Sequence, residues 1–226
     1  MKSYRPTRYP LRKPTRVALL NIYKAMFRHY GHRNWWPGET PFEVMVGAIL
    51  TQNTAWKNVE RAIQNLRKAG TLAPKALEKI GTSRLAQLIR PAGYFNVKAK
   101  RLKNFINFLK KQYSLNLRKM FKAPLSLLRG QLLEVNGIGE ETADSILLYA
   151  ACKATFVVDA YTRRIFSRHR YLKGNESYQQ IQEIFQGLLP KDTQLYNDYH
   201  AQVVETGKDY CRTNPRCEAC PLKNWL

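Results

Sequence analysis

The segment Asn136-Gly137-Ile138-Gly139 constrains the fold of this chain more than any other, because it separates two apolar helical patterns. Apolar residues at helical spacing precede and follow it: Leu125, Leu128, Leu132, Ala143, Ile146, Leu147 and Ala150. Two glycines around one apolar residue let the backbone turn sharply while Ile138 is anchored between the helices. The amides at the start of the second helix then point outward, with the positive end of the helix dipole behind them. The segment therefore predicts an anion site that suits phosphate, with an ordinary corner between helices as the alternative.

Most of the chain reads as helix after helix, since apolar residues recur at intervals of three and four. Helices are predicted around 17–26 and 42–50 and near 56–68, 82–90, 97–112, 125–134, 140–152, 160–170, 177–188 and 192–207. Glycines and prolines fall between these stretches and mark the breaks. The segment 155–158, TFVV, is open to three interpretations: a strand, the buried start of a helix or an extended loop.

The chain is strongly basic: its 226 residues include 38 Lys and Arg against 16 Asp and Glu, a formal net charge of +22. This excess predicts a polyanionic partner and favours nucleic acid, although a solvated basic surface or a membrane-facing patch could carry the same charge. No run of about 18 apolar residues indicates a membrane span, and no signal-peptide core follows the basic N-terminus. We therefore expect a cytoplasmic protein of bacterial type, associated with the nucleoid.

A single acid stands out in the stretch VVDAYTRR, residues 157–164. Asp159 follows three apolar residues and precedes a basic helical stretch. Such an acid is either partly buried and facing a cleft, or the N-cap of a helix that starts at Ala160. The local sequence favours neither interpretation.

Several blocks in the same order carry a resemblance to a known family. LLEVNGIGEETAD (132–144), VVDAYTRRIF (157–166) and the cysteine-rich tail resemble the helix-hairpin-helix–Gly/Pro–Asp superfamily of DNA glycosylases, in the endonuclease III group. AILTQNT (48–54) is similar to the family segment that fills the gap left by a flipped base, and GYFNVKAKRL (93–102) resembles another shared stretch. The resemblance extends over roughly residues 30–226.

The resemblance implies an all-α fold of two lobes with a cleft between them. A six-helix lobe with the hairpin would cover 33–153, and residues 1–32 with 154–226 would form a second helical lobe with a C-terminal cysteine loop. The implied partner of a monomer is double-stranded DNA with a damaged base, which is flipped out so that chemistry reaches the sugar C1′. Gln52 matches the gap-filling position, and the alternative is a polar residue that closes a helix. The hairpin residues expected to contact DNA are Gly137, Ile138, Gly139 and Thr142.

Two acids decide which reaction the resemblance implies. Asp159 matches the catalytic aspartate of the family, whose carboxylate can stabilise the positive charge that builds on the sugar and orient an attacking water. Glu141 stands where the bifunctional members have a lysine that attacks C1′, and a carboxylate cannot form a Schiff base. We therefore expect both acids at the active site of an enzyme that leaves an abasic site, unless Lys208 or Lys153 replaces the missing lysine.

Three of the four tryptophans lie close together in the sequence. Trp35, Trp36 and Trp56, with Pro37, are predicted to form the base pocket, because aromatic faces stack on a flipped base and favour a cationic one such as an alkylated purine. The aromatic blocks and Glu141 look like the 3-methyladenine DNA glycosylase branch of the superfamily. The alternative is that the tryptophans are core or interface residues.

Basic side chains around these motifs are expected to contact the DNA phosphates. Lys98 lies in the GYFNVKAKRL block, Arg163 and Arg164 follow Asp159, and Lys208 lies near the C-terminus. Each alone is more often a solvated surface charge, but as a set they match the charge excess.

Three of the four cysteines crowd the last 16 residues, which in a cytosolic chain indicates metal rather than disulfides. Cys211, Cys217 and Cys220 match three ligands of the four-iron four-sulfur (4Fe–4S) cluster of the family, but Leu226 occupies the fourth position. The resemblance thus implies a cluster with an incomplete ligand set. Zinc, less favoured, and the absence of metal are the alternatives.

Three functions are compatible with these observations. The leading one is a monofunctional DNA glycosylase of base excision repair that acts on alkylated purines such as 3-methyladenine. The first alternative is an endonuclease III-like glycosylase and abasic-site lyase that acts on oxidised pyrimidines through a displaced lysine. The second is a protein that binds damaged DNA without catalysis.

Overall fold

The computed structural model describes residues 10–225, and within them it contains twelve α-helices and no β-strand. In chain order these are α1 (Arg16–Tyr30), α2 (Pro41–Leu50), α3 (Trp56–Lys68), α4 (Pro74–Lys79), α5 (Thr82–Leu88), α6 (Phe95–Tyr113), α7 (Leu117–Lys122), α8 (Leu125–Leu133), α9 (Glu140–Ser145), α10 (Ala160–Arg168), α11 (Tyr178–Leu188) and α12 (Thr193–Asp209). A π-helical turn, Ile146–Ala150, continues α9. The predicted all-α fold is confirmed, and TFVV (155–158) is an extended loop.

The chain divides into two compact units. One contains the described residues up to Trp35 and those from Ala154 onward, and the other spans Trp36–Lys153. The second unit contains α2 to α9, more helices than the six predicted, because α4 and α7 have only 6 residues each and leave no periodic apolar pattern. Of the lobe predicted from 1–32 and 154–226, residues 1–9 and Leu226 lie outside the described residues.

Helix α2 is the centre of the second unit, and every one of its residues after Pro41 is buried. Thr40 caps it by accepting a hydrogen bond from the Glu43 amide at 3.2 Å, and Pro41 suits the first helical position. The single charged side chain of α2, Glu43, is paired with Arg67 of α3 at 2.9 Å. A helix that is apolar on all sides belongs inside a core, so α2 fixes the position of the segment that follows it, which contains Gln52.

Helices α8 and α9 form the predicted hairpin, which a buried ion pair ties together. Arg129 of α8 donates from Nε to Asp144 Oδ1 at 2.8 Å and from a terminal nitrogen to Oδ2 at 3.0 Å. The Asp144 side chain has no exposed surface, whereas that of Arg129 is 23% exposed. The bidentate geometry satisfies both oxygens of a carboxylate that water cannot reach.

The first unit is organised around aromatic rings. Phe156 stacks on Phe185 with ring centroids 4.3 Å apart, and Tyr196 and Tyr199 meet Phe156 edge-on at 5.6 Å. The extended segment is apolar because it runs through this core, where Phe156, Val157 and Val158 are buried. It ends at Asp159, which is thereby delivered to the start of α10.

None of the helices in residues 10–225 combines the length and apolarity that crossing a bilayer requires. The cytoplasmic, nucleoid-associated location stays a prediction.

Replacing Arg129 with methionine should lower the free energy of unfolding by about 3 kcal/mol, because a buried charge loses its partner while the methionine fills similar volume. Urea unfolding followed by circular dichroism measures this. Lys110→Met is the matched control, since it removes an ion pair with Glu78 in which the lysine side chain is 62% exposed. The control should change stability far less, and equal losses in the two variants would contradict the importance assigned to the buried pair.

Candidate active site and nucleic-acid interface

The hairpin turn has the geometry that the sequence predicts. Gly137 has a φ of +95°, which is costly for any residue with a Cβ, and a Cβ there would collide with the Arg101 side chain. Ile138 is 5% exposed and its amide donates to Val135 O at 2.9 Å. Gly139 is the N-cap of α9, and the first bond of that helix runs from the Ala143 amide to Gly139 O at 2.9 Å. The first-turn amides of α9 therefore point out of the hairpin, as an anion site requires.

The Gln52 side chain braces this turn. Its Nε2 donates to Gly137 O at 3.0 Å and to Thr142 Oγ1 at 2.9 Å, and its Oε1 accepts a hydrogen bond from Arg101. From α6, Asn104 donates to Asn136 O at 3.0 Å. The structure thus brings together Gln52, Gly137 and Thr142, and a gap-filling role would require Gln52 to exchange these bonds for DNA.

Glu141 is exposed in the first turn of α9. A carboxylate in that position is favourable for the helix dipole, and its neighbour Glu140 lies 3.8 Å from Arg129. Glu141 is therefore accessible, and that it replaces the lysine of the bifunctional members stays a prediction from the resemblance.

Asp159 is the N-cap of α10, which confirms one interpretation of its local sequence, and its carboxylate is also buried. Its Oδ1 accepts from the Thr162 amide at 2.7 Å and from Thr162 Oγ1 at 2.8 Å, and the Asp159 amide donates back to Thr162 Oγ1 at 3.5 Å, which completes a capping box. The residue is 8% exposed. Oδ1 is therefore occupied by the helix, and Oδ2 is the oxygen left for other partners.

That second oxygen faces a histidine that the sequence does not connect with Asp159. Nε2 of His200, on α12, lies 3.6 Å from Asp159 Oδ2. Burial alone would raise the pKa of Asp159, but His200 and the two bonds from Thr162 outweigh it and hold that pKa below its ordinary value. Asp159 is thus a buried carboxylate kept in its charged form.

The comparisons with known proteins agree with this arrangement. The model of the HhH-GPD superfamily of base excision DNA repair proteins matches residues 46–191. The chain belongs to the HhH-GPD superfamily. A provisionally named DNA repair glycosylase of Methanocaldococcus jannaschii is 50% identical over 209 residues, which cover 92% of this chain and 94% of that protein. Endonuclease III of Thermotoga maritima is 31% identical over 185 residues, 81% of each protein.

A solved structure extends the likeness to three dimensions. The 3-methyladenine DNA glycosylase MagIII of H. pylori, bound to 1,N6-ethenoadenine, has a TM-score of 0.75 and 29% identity over 86% of this chain and 98% of that chain. These findings confirm the family identified from the hairpin and Asp159 motifs. As an HhH-GPD member, the chain is a DNA glycosylase of base excision repair.

One predicted DNA contact of this HhH-GPD chain requires correction. Lys98 is 1% exposed, and its Nζ donates to Leu50 O and Ala92 O at 2.8 Å. Burial, followed by the charge of Arg101, lowers the pKa of Lys98 to about 8. A buried ammonium engaged with two carbonyls does not line the phosphates; it ties the end of α2 to the loop before α6.

The other predicted cations are partly engaged within their own unit. Arg163 donates to Glu176 O at 2.6 Å, and Arg164 donates to Cys211 O at 2.6 Å. Lys208 Nζ lies 3.2 Å from Glu205 and 5.3 Å from the centroid of the Trp35 ring. Backbone carbonyls hold the two arginines, so Lys208, with a side chain 37% exposed, is the most available cation of the three.

The four residues of the predicted base pocket belong to both units. Trp36 and Trp56 meet edge-on at 5.2 Å in the second unit, where both pack against its core and Trp36 also contacts Tyr149. Trp35 belongs to the first unit and Pro37 is exposed. The structure therefore shows contact between Trp36 and Trp56 and a packing role for both, and the base pocket formed by the four residues stays a prediction.

The cysteine tail does not fit a cluster held by cysteines alone. Cys211, Cys217 and Cys220 line a small apolar cavity of about 40 Å³, and burial raises the pKa of the Cys217 and Cys220 thiols. Within residues 10–225, no three Cys, His, Asp or Glu side chains are arranged to hold a metal ion, and Leu226 lies outside this range. Arginine bonds hold the tail instead, since Arg168 donates to Cys211 Sγ at 3.3 Å and to Arg212 O at 2.6 Å.

Replacing Gly137 with alanine should lower stability by about 1–3 kcal/mol, because the left-handed backbone and the Arg101 side chain both oppose a Cβ. Gly139→Ala is the matched control, since Gly139 has a φ of −94° and its Cβ would meet nothing within 4 Å. Thermal unfolding of both variants measures the difference. If Gly139→Ala lost as much stability as Gly137→Ala, the geometry described for the turn would be wrong.

Proposed function

We propose that this chain is a monofunctional DNA glycosylase that hydrolyses the N-glycosidic bond of alkylated purines such as 3-methyladenine in double-stranded DNA. The observation that carries the proposal is Asp159, a carboxylate that is 8% exposed and held in its charged form. Glycosidic cleavage needs a preorganised negative charge beside a sugar that becomes cationic. A buried aspartate with one oxygen fixed by its helix supplies that charge without having to reorganise during the reaction.

In the proposed reaction, Asp159 Oδ2 stabilises the cationic sugar and orients a water toward C1′. The bond from C1′ to the base breaks and its electrons leave with the base, while oxygen from water bonds to C1′ and loses a proton to Asp159. The flipped base must leave the duplex stack before this step.

The restriction to hydrolysis rests on Glu141. A Schiff base needs an amine, and Glu141 occupies the position of the attacking lysine in the bifunctional relatives. The product would accordingly be an abasic site in an uncut strand.

The choice of alkylated purines rests on chemistry and on likeness. A purine alkylated at N3 or N7 is cationic and already a good leaving group, which suits a site that has a carboxylate and no evident general acid. Trp35, Trp36 and Trp56 are half-buried, and aromatic rings of this kind favour a cationic base as a stacking partner. The likeness to MagIII, named for its action on 3-methyladenine, supports the same choice.

The hairpin is proposed to hold a phosphate through the first-turn amides of α9, with Gly137, Ile138 and Gly139 shaping the turn. Gln52 is proposed to fill the gap left by the flipped base. Lys208, Arg163 and Arg164 are candidate contacts for the DNA phosphates, whereas Lys98 is buried and cannot reach them.

The direct test is incubation of the purified protein with methylated duplex DNA, scoring free bases and strand breaks before alkali treatment. Release of 3-methyladenine without breaks is expected. Breaks before alkali would contradict the monofunctional assignment, and binding of the duplex without any released base would support the non-catalytic alternative.

Asp159→Asn should slow base release by about 100-fold or more, because the neutral amide caps the helix but cannot stabilise the cation. Asp192→Asn is the matched control, since Asp192 caps α12 by accepting from the Leu195 amide at 2.7 Å. Single-turnover rates and duplex affinities of both variants measure the effect. Unchanged turnover in Asp159→Asn would remove Asp159 from the catalytic role.

A second candidate function has a specific observation in its favour. The 31% identity to Thermotoga maritima endonuclease III supports, as the second candidate, a glycosylase and lyase that acts on oxidised pyrimidines. Lys208 or Lys153 would then have to supply the amine. Borohydride trapping distinguishes the two functions, because only a Schiff base becomes a stable covalent adduct with DNA.

A further inference from the structure

A second buried titratable group lies beside Asp159. The side chains of His200 and Asp159 are 6% and 9% exposed, and His200 Nε2 is 3.6 Å from Asp159 Oδ2. The two residues sit on α12 and at the start of α10, helices that pack closely within the first unit. A Cβ at Gly207 of α12 would collide with Tyr161 of α10, so the glycine is what allows this close approach.

The two carboxylate oxygens of Asp159 have different partners, and this difference indicates a role for the histidine. Thr162 uses Oδ1 twice, at 2.7 and 2.8 Å, to start α10. Nothing in that cap controls Oδ2, the oxygen proposed to meet the sugar and the water. The imidazole of His200 is placed to do so.

We propose that His200 is a positioning residue for Asp159, whose imidazole faces Oδ2 and orients it toward the sugar while the base leaves. This inference rests on the proposed function of Asp159. His200 acts through the aspartate and not on the substrate, so its loss should change the rate of base release and not the affinity for DNA.

Other titratable and charged groups near α12 and α10 have different partners. From α1, Tyr23 donates to Asp198 Oδ2 at 2.9 Å, and Arg164 of α10 donates to Cys211 O and Gly207 O. From α11, Tyr178 accepts from the Val158 amide at 3.3 Å. Arg163 donates to Glu176 O. Among the groups that lower the pKa of Asp159, Thr162 does not titrate, which leaves His200 as the titratable one.

The sign of the effect follows from the opposition between burial and the histidine. Burial favours the protonated acid, and His200 opposes it. Without the imidazole, the pKa of Asp159 must rise. Because the proposed reaction needs ionised Asp159, a variant without the imidazole should lose activity on acidification at a higher pH than the wild type does.

Two substitutions separate orientation from charge. His200→Gln keeps an N–H group near Oδ2 but cannot become cationic, whereas His200→Ala removes both. We expect His200→Gln to release base at nearly the wild-type rate at pH 8 and to lose about tenfold more activity than wild type on acidification to pH 5. His200→Ala should also be about tenfold slower at pH 8, with unchanged affinity for the duplex.

His169→Asn is the matched control. His169 is a second buried histidine in the same unit, 6% exposed, and its Nδ1 lies 3.0 Å from Trp225 O. Its replacement should lower the melting temperature without moving the acid limb of the rate profile. The proposal is overturned if His200→Gln and His200→Ala give normalised pH–rate profiles that superimpose on the wild-type profile, because a purely structural histidine would behave in that way.

A measurement of stability tests the coupling even if the proposed substrate is wrong. Asp159 has a lowered pKa in the folded protein, so it contributes stability above its unfolded pKa, and this contribution is lost as the pH falls through the folded pKa. The difference in melting temperature between wild type and His200→Gln should therefore be larger at pH 7 than at pH 3. In an Asp159→Asn background this pH dependence should vanish.

The two experiments fail separately. If no base is released by wild type but the stability cycle shows the coupling, the proposed function fails and the pairing of His200 with Asp159 stands. If base is released but neither the rate profile nor the stability cycle responds to His200, the inference about His200 fails alone.

Discussion

The positive φ of Gly137 is the constraint on which the hairpin of the second unit depends. Because the backbone turns there without a Cβ, the Arg101 side chain can lie against it and reach Gln52. Gln52 in turn spans the turn from Gly137 O to Thr142 Oγ1, which joins the two ends of the hairpin connection. One glycine therefore sets both the direction of the first-turn amides of α9 and the position of the side chain proposed to enter the DNA.

A second arrangement places the loop that carries Gln52. Helix α2 is apolar on all sides and fixed in the core, and Lys98 ties its last carbonyl to that of Ala92. The ammonium satisfies the carbonyl of Leu50 at the helix end and shares Ala92 O with the Thr54 hydroxyl. A buried lysine is costly, but here its two hydrogen bonds connect the end of α2 to the segment before α6.

The sequence predicts the large elements of this molecule well and its side-chain partners poorly. The periodic pattern placed α3 at 56–68, where it is found, because thirteen residues leave a clear apolar face, while α4 and α7 are too short to do so. In the same way, Gly137 and Asp159 were identified because turns and caps are local. Nothing in the sequence distinguishes Lys98 from a surface lysine, and His200 lies in no motif. Burial and long-range pairing are properties of the folded chain, so the sequence does not reveal them. The tryptophans illustrate the same limit, since adjacent Trp35 and Trp36 fall in different units.

Several arginines and lysines of this chain bind carbonyls and carboxylates within the protein, and this pairing limits how strongly the net charge acts on a polyanion. Arg129 is committed to Asp144, Arg168 to the backbone of the tail, and Lys103 to Leu77 O. The affinity of a protein for duplex DNA falls with salt in proportion to the number of phosphates it neutralises, since each one releases condensed counterions. Cations that are paired within the protein neutralise no phosphate and so release no counterions. The net charge of +22 therefore overstates the counterion release on binding, and the enzyme can be strongly basic without gripping undamaged DNA so tightly that its search for a lesion stalls.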